Sequence, residues 1–339
     1  MDEHSGHNAL QWPSGFRSIQ EALQAILAAN PAAERARVVF TAFNGNNLDG
    51  PGKMQALAFL PVFCNALATH GIASHFVTTP HALRAAAGPR TIVVHIYREV
   101  GSDLPAAEIE AAQQGCLVFN TPHIGSLIAD KLATSRLLTQ NDLPAVKLAT
   151  GDEPYIFSNA IDASGAQTWL VKGGTALESG RYNTEFIDTR TRFQGTSYFT
   201  TVRLLCIGSH IVHGFVRAGE VRQGKPSIHA ADTPLDPALI EHLQTTLVDE
   251  NREALAALAQ GLGDLLGPGF YAHDLLVERG SGDIFICETG FKFHDWHYGN
   301  RIRPIIHALP SHRFTLTPDY AVRAAKVFLQ VCRESGLAV

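Results

Sequence analysis

Residues 271–290 read YAHDLLVERGSGDIFICETG, two apolar runs of β type that are separated by the turn sequence RGSGD. A short glycine-containing turn between two such runs predicts an antiparallel β-hairpin. Each predicted strand carries one acid, Asp274 in the first and Glu288 in the second. Because paired strands bring side chains of one face together, we expect these two carboxylates to lie close to each other.

The stretch before the hairpin is rich in predicted strands. A helix over 126–140 is followed by four β-type runs and by a long helix over about 237–265. Polar or glycine-rich turns separate the runs, so an antiparallel sheet is predicted. The four runs are TWLVK, YNTEFID, YFTTVRLLCI and HIVHGFVRA. After the hairpin, a last helix is predicted with Thr317 as N-cap, Pro318 at its first position and Gly336 beyond its end.

The first 120 residues have a different pattern. A leader helix with a Ser18–Glu21 capping box precedes short apolar strands that alternate with helices over 53–70, 81–87 and 105–114. Strands that alternate with helices predict a parallel α/β layer. Those strands are ARVVFTAF, IASHFVTT, TIVVHIY and CLVFN.

Composition excludes several classes of protein. Hydrophobic residues make up 45% of the 339 residues and charged residues 17%, which excludes a disordered chain. The net charge of −5 argues against a nucleic-acid partner. The early apolar stretch 54–69 is interrupted by polar residues and proline, so no membrane partner is expected. Five scattered cysteines and a polar, acidic N-terminal sequence lead us to expect a cytoplasmic protein.

Common catalytic signatures are absent from the sequence. It contains no G-x-G-x-x-G, no G-x-S-x-G and no H-E-x-x-H, and residues 50–53 lack the spacing of a phosphate-binding loop. His294 and His297 could join Asp274 and Glu288 in a metal site, but ordinary surface or cleft histidines are the simpler interpretation.

Four separated pieces resemble the ATP-grasp superfamily. They are DKLATSRLL at 130–138, WLVKGG at 169–174, TEFID at 184–188 and the hairpin of 271–290. The resemblance implies a Rossmann-like parallel α/β domain followed by two α+β subdomains that clasp a nucleotide. The corresponding boundaries are 1–120 with the leader helix, 121–190 with the lysines, and 191–339 with the metal site and the C-terminal helix.

The resemblance also implies roles for individual residues. Lys131 and Lys172 would bind phosphates of ATP, and Mg²⁺ or Mn²⁺ would lie on Asp274 and Glu288. Taken alone, these lysines could be solvated and the two glycines could form an ordinary turn. The implied ATP-binding set is Lys131, Lys172, Gly173, Gly174, Glu185, Phe186, Ile187 and Asp188, with Glu185 near the adenine and Asp188 near the ribose.

The resemblance is incomplete at the hairpin. Gly290 stands where the family has a metal-binding Asn, and Ala272 stands where some members have an Arg. Arg217 and Arg203 match family arginines on the preceding strands, and Arg217 is the candidate for the transferred phosphate, with Lys172 as a third catalytic cation. Candidate groups for the carboxylate substrate are Asn44, Asn46, Asn300, Arg301 and Arg303.

The activity implied by the resemblance is an ATP-dependent carboxylate–amine ligase that works through an acyl phosphate. Its partners would be a small-molecule carboxylate and an amine, and the chain would form a homodimer. Three alternatives stay open at this point: a small-molecule kinase, a metal-dependent hydrolase and a non-catalytic nucleotide-binding protein.

Overall fold

The structure, a computed structural model, describes residues 36–41, 50–96, 106–161, 169–174, 177, 180–221, 228–291, 293, 295–314 and 316–339. The predicted leader helix with Ser18 and Glu21, the candidate substrate residues Asn44 and Asn46, and His294 lie outside the described residues.

The N-terminal layer is a parallel sheet with helices. Its strands are β1 (Ala36–Thr41), β2 (Ile72–Val77), β3 (Thr91–His95) and β4 (Leu117–Phe119), in the order β2-β1-β3-β4. The helices are α1 (Gly50–Ala68), α2 (Pro80–Ala86) and α3 (Ala106–Ala112). The predicted parallel α/β layer is confirmed. Helix α1 begins three residues earlier than predicted, so Gly50–Lys53 is helical rather than loop.

Burial of both faces explains why these strands are almost entirely apolar. Val38 and Phe40 on one face of β1 belong to the largest core cluster, whereas Val39 on the other face packs with Val93 of β3. A parallel sheet that is covered on both faces selects continuous apolar runs instead of alternation.

The strand-rich middle of the chain forms two antiparallel sheets, which corrects the prediction of one. The small sheet has the order β6-β5-β7, from β5 (Tyr155–Ala160), β6 (Trp169–Lys172) and β7 (Arg181–Glu185). The large sheet has the order β10-β9-β11-β12, with β8 paired to β9. Its strands are β8 (Arg190–Phe193), β9 (Thr196–Ile207), β10 (His210–Glu220), β11 (Phe270–Val277) and β12 (Ile284–Gly290). Strands β5 and β8 were not predicted, whereas the β11–β12 hairpin is confirmed.

Two helices that were predicted as continuous are interrupted. The segment 126–140 belongs to α4 (Pro122–Ala129) and α5 (Lys131–Gln140), which meet at Asp130. The Asp130 carboxylate accepts hydrogen bonds from the backbone N–H groups of Leu132 and Ala133, so it starts a new helix with Lys131 in its first turn. The predicted helix 237–265 consists of α6 (Pro237–Gln244), a π-helical turn over Thr245–Asp249 and α7 (Arg252–Leu266).

The C-terminal helix joins the N-terminal layer to the large sheet. After α8 (Trp296–Ile302), helix α9 (Thr317–Glu334) begins with Leu316 rather than Thr317 as its N-cap, so Pro318 is its second residue rather than its first. Gly336 lies beyond the end of α9, as predicted, and has a φ of 84°. Phe328 of α9 contacts Phe63 of α1 edge-to-face and stacks on Phe270 of β11, with ring centroids 5.4 and 5.7 Å away. In the part of the chain that the structure describes, no helix has both the length and the apolar character needed to cross a bilayer.

Asn120 connects the N-terminal layer to the large sheet by hydrogen bonds. It has a left-handed φ of 57°, which Asn tolerates better than most residues. Its Nδ2 donates to the carbonyl of His95 at 2.8 Å, and its Oδ1 accepts from the backbone N–H of Phe270 at 2.6 Å.

We predict that Asn120→Ala lowers the free energy of unfolding by about 2–4 kcal/mol, because two buried backbone groups lose their partners. Urea unfolding measures the change. Asn141→Ala, at the exposed end of α5, is the matched control and should change stability by less than about 1 kcal/mol. Equal effects of the two substitutions would contradict the connecting role of Asn120.

Candidate active site

The pairing register of the large sheet places three charged residues in one row. Asp274 on β11 lies opposite Arg203 on β9 and opposite Glu288 on β12. Residues that face each other across antiparallel strands project from the same face of a sheet. A bulge at Cys287 separates this row from the next pair, Leu275 and Ile286. The expected proximity of the two acids therefore follows from the register.

The Asp274 carboxylate is bound by two arginines. Arg203 donates from Nε to Oδ1 at 2.7 Å and from Nη2 to Oδ2 at 2.8 Å, which is a bidentate pair. Arg217 on β10 approaches Oδ1 with its Nη2 at 2.8 Å. The exposed fractions of the three side chains are 11–16%. Charge-assisted bidentate bonds of this kind are strong and directional, so the structure holds Arg203 and Arg217 side by side.

Burial and charge act against each other in this cluster. Burial alone would raise the pKa of Asp274, but the charges and hydrogen bonds of Arg203 and Arg217 outweigh it and hold the pKa well below its usual value. Burial lowers the pKa of the Arg217 guanidinium. The negative charge of Asp274 raises this pKa, and the positive charge of Arg203 lowers it further. Asp274 is therefore a permanent anion between two cations over the physiological pH range.

A narrow cleft brings helix α5, strand β7 and strand β12 together around Lys131 and Glu288. Lys131 is 9% exposed, and its Nζ contacts the carbonyl of Ile161 at 3.4 Å. Among the described residues, none donates a hydrogen bond to the Glu288 carboxylate. Lys131 and Glu288, which are far apart in the sequence, thus line one cleft, together with Ile128, Thr134, Ser135, Leu138, Tyr182, Ile286, Cys287 and Thr289.

Sequence reasoning missed several of the lining residues. Thr134 and Ser135 follow Lys131 by three and four positions on one helix, so helical spacing was a usable signal. Cys287 gave no signal, because its position depends on the bulge in β12. Burial raises the pKa of the Cys287 thiol to about 12, so this thiol stays protonated and is a weak nucleophile.

Lys172 lies at the exposed end of β6 and is not among the residues that line the cleft. In the small sheet, Lys172 of β6 lies opposite Tyr155 of β5. Four residues further along β5, Asn159 lies opposite Tyr182 of β7; between them, Phe157 lies opposite Thr184. Alternate residues and directly opposed residues share a face. Lys172 therefore lies on the same sheet face as Tyr182, which lines the cleft.

The two glycines after Lys172 have structural reasons to be glycine. A Cβ at Gly173 would overlap the backbone carbonyl of Glu153, and Gly174 has a left-handed φ of 78°. Gly173 N–H donates to the Pro154 carbonyl at 3.0 Å, and Gly174 N–H to the Gly151 carbonyl at 3.1 Å. These contacts fix the turn; a contact with phosphate stays a prediction.

The segment 185–188 connects the small sheet to the large sheet. Glu185 Oε1 accepts from the backbone N–H of Lys147 at 3.3 Å. The Phe186 ring contacts Phe199 edge-on, and Ile187 is buried. Asp188 accepts both side-chain bonds of Arg190, at 2.7 and 2.6 Å, and this hydrogen bonding lowers the pKa of Asp188. The adenine and ribose roles of Glu185 and Asp188 stay predictions.

The predicted substrate residues that the structure describes lie on and just after α8. Arg301 Nε donates to the carbonyl of Thr233 at 2.8 Å, and Arg303 Nη2 approaches Asn300 Oδ1 at 3.3 Å. Their role toward a substrate carboxylate stays a prediction. Asp295, the residue before α8, is buried and accepts a hydrogen bond from Tyr320.

Comparisons with known proteins give similarities among solved structures only; no protein-family model and no curated protein matches the chain. The chain is similar to an ATP-grasp RimK domain protein from Sphaerobacter thermophilus, with 18% identity, a TM-score of 0.46 and coverage of 87% of this chain and 100% of that chain. It is similar to the D-alanine–D-alanine ligase from Bacillus anthracis at 11% identity, TM-score 0.47 and coverage of 89% and 99%. For N5-carboxyaminoimidazole ribonucleotide synthetase from Thermotoga maritima the identity is 11%, the TM-score 0.46 and the coverage 86% and 76%.

We predict that Gly173→Ala destabilises the protein by about 1–3 kcal/mol, because the added methyl group forces the backbone of residues 153 and 173 apart. Urea unfolding measures the loss. Gly88→Ala is the matched control: its Cβ would meet only Thr91 Oγ1 at 3.9 Å, so stability should be unchanged or slightly raised. A neutral Gly173→Ala would contradict the close approach.

Proposed function

We propose that the protein is an ATP-dependent ligase that activates a small-molecule carboxylate as an acyl phosphate and joins it to an amine. The observation that carries the proposal is the arrangement of charged side chains on β9, β10, β11 and β12. The ion-paired Arg203, Asp274 and Arg217 stand beside Glu288, and Glu288 shares a cleft with the buried Lys131. Cations near a carboxylate that accepts no hydrogen bond from the described residues suit the binding of a nucleotide polyphosphate with its divalent cation.

Arg217 has a hydrogen-bond donor that none of the described residues uses. Its guanidinium is largely buried, and its Nε finds no acceptor among the described residues. A buried donor without a partner costs about 1–3 kcal/mol. An anionic oxygen of a phosphoryl group, placed beside Arg217, would satisfy this donor. The sequence-based assignment of Arg217 to the transferred phosphate is therefore kept as part of the proposal.

The nucleotide would lie between the two antiparallel sheets. Lys131 in the cleft and Lys172 on the small-sheet face that includes Tyr182 would bind its phosphates, with Gly173 and Gly174 in the turn beside them. The base and ribose would lie along residues 185–188. Asn300, Arg301 and Arg303, together with Asn44 and Asn46, remain the proposed contacts of the carboxylate substrate.

The residues present partly fit the implied divalent cation. Mg²⁺ in nucleotide sites is held by one or two carboxylates together with phosphate oxygens, and usually keeps several waters. Glu288 borders the cleft, and its carboxylate accepts no hydrogen bond from a described residue, so it fits this requirement. Within the described ranges, no three His, Cys, Asp or Glu side chains cluster in a way that could hold a metal ion by themselves. When bound, the cation would neutralise phosphate charge.

Catalysis would rest on positioning and electrostatics. Arg217 and Arg203 would hold the phosphoryl group next to the substrate carboxylate, and Lys131 would hold the phosphates that leave as part of ADP. Their charges stabilise the negative charge that spreads over phosphoryl oxygens in the transition state. Because Asp274 fixes both arginines before substrate arrives, little reorganisation is needed during the reaction.

The proposal is tested first by nucleotide binding and then by ADP release. ATP with Mg²⁺ at a hundredfold excess over its Kd should stabilise the native state by about 2.7 kcal/mol, seen as a raised Tm. ADP release that requires both a carboxylate and an amine supports the ligase. ADP release with a hydroxyl substrate alone would identify a kinase, and the absence of any Tm increase would exclude both ATP-dependent activities.

We predict that Arg217→Lys lowers kcat for ADP release by about 100- to 1,000-fold, because a lysine cannot hold Asp274 and a phosphoryl oxygen together. Steady-state ADP release measures the effect. Arg84→Lys on the exposed face of α2 is the matched control and should leave kcat unchanged. If Arg217→Lys retains full activity, the phosphoryl role of Arg217 is wrong.

The predicted homodimer and cytoplasmic location are separate from this proposal and stay predictions.

A further inference from the structure

The Asp274 carboxylate has little remaining capacity to bind a cation. A carboxylate offers about four lone-pair positions for hydrogen bonds or metal ions. Oδ1 accepts from Arg203 Nε and lies 2.8 Å from Arg217 Nη2, while Oδ2 accepts from Arg203 Nη2. Three of these positions are therefore used by guanidinium groups, in a cluster that is mostly shielded from water.

Charge also opposes a dication at Asp274. One anion already serves two cations that repel each other, since both guanidinium groups lie within 2.8 Å of a single Asp274 oxygen. To bind Mg²⁺, Asp274 would have to release at least part of this pair. A buried guanidinium that loses its carboxylate is strongly destabilising, because the charge is left without compensation.

The hairpin positions beside Asp274 and Glu288 supply no group that could replace Asp274 as a partner of the arginines or as a metal ligand. On the same face of the sheet, two residues along each strand from Asp274 and Glu288, Ala272 pairs with Gly290, and neither has a side chain that could serve as an oxygen ligand or a cation. Glu288 differs from Asp274 in its position and in its partners. It lies on the edge strand β12 and borders the cleft, and no described residue donates a hydrogen bond to it.

We infer that Asp274 is a positioning residue that holds Arg203 and Arg217 together, and that Glu288 is the only carboxylate of the hairpin that binds the divalent cation. The statement that Glu288 binds the cation, called the metal clause below, rests on the proposed function and replaces the sequence-based prediction that both acids are metal ligands. The statement that Asp274 holds Arg203 and Arg217 together, called the pairing clause, concerns the protein without nucleotide and is tested separately.

The metal clause is tested by the affinity of the ADP complex for Mn²⁺, measured by electron paramagnetic resonance. Glu288→Gln should weaken Mn²⁺ binding at least tenfold, whereas Asp274→Asn should change it less than twofold while kcat falls at least fiftyfold. Equal weakening by the two substitutions would overturn the inference. Loss of kcat without loss of metal affinity is a result that a metal ligand would not give.

The same clause can be tested in the unaltered protein, in case Asp274→Asn does not fold. Mn²⁺ is bound to the ADP complex of protein labelled with carbon-13 in the carboxylates of either Glu or Asp. Electron–nuclear double resonance should show a directly coordinated carboxylate only with the Glu label. A coordinated carboxylate with the Asp label would overturn the inference.

The pairing clause is tested without nucleotide by a double-mutant cycle in urea. Asp274→Asn and Arg203→Met should each lower the unfolding midpoint, and the double variant should lower it by clearly less than the sum. Additive shifts would refute the pairing. If the wild type binds neither ADP nor Mn²⁺, the proposed function and the metal clause fail together, and the cycle still decides the pairing clause.

Discussion

The shared ion pair of Asp274 with Arg203 and Arg217 is the interaction on which the organisation of the site depends. Three adjacent strands each supply one member, β10 and β9 the cations and β11 the anion. Two guanidinium groups buried this closely would repel each other without the carboxylate between them. The register of the large sheet is therefore constrained by charge as well as by apolar packing, because a slip of one residue would turn each of these side chains to the other face.

The face of the large sheet that carries Arg203 and Asp274 is apolar at one end of the strands and charged further along. Leu205 on β9 and Ala272 on β11 lie on the face of Arg203 and Asp274, two residues away, and both belong to the core that α9 and the N-terminal layer share. The opposite face packs against α6 and α7 through residues such as Leu204. The charged cluster thus stands at the edge of a rigid core, which is a suitable support for groups that must be fixed before a ligand binds.

The sequence predicted those parts of the structure that depend on local patterns. The hairpin of 271–290 and the parallel layer follow from apolar runs and turns, and both are present. Local patterns did not reveal that Asp130 ends one helix and caps the next, since an Asp inside an apolar periodicity is compatible with a continuous helix. The pair of Arg203 with Asp274 joins residues 71 positions apart, so it depends on a register that no local pattern encodes. The sequence indicated that Asp274 and Glu288 lie close together. It did not indicate that Asp274 is already ion-paired with two arginines, because that pairing depends on the same register.

The charge of the site differs in sign from the charge of the chain. The chain carries a net charge of −5, whereas Lys131, Arg203 and Arg217 outnumber Asp274 and Glu288 by one positive charge. A local excess of cations in a chain of net negative charge attracts a small polyanion that can reach it, whereas an extended polyanion also meets the negative charge elsewhere on the protein. Mobile ions weaken interactions at the surface more than those in a partly buried cleft. The distribution of charge, rather than its total, therefore supports the proposal of a small polyanionic ligand.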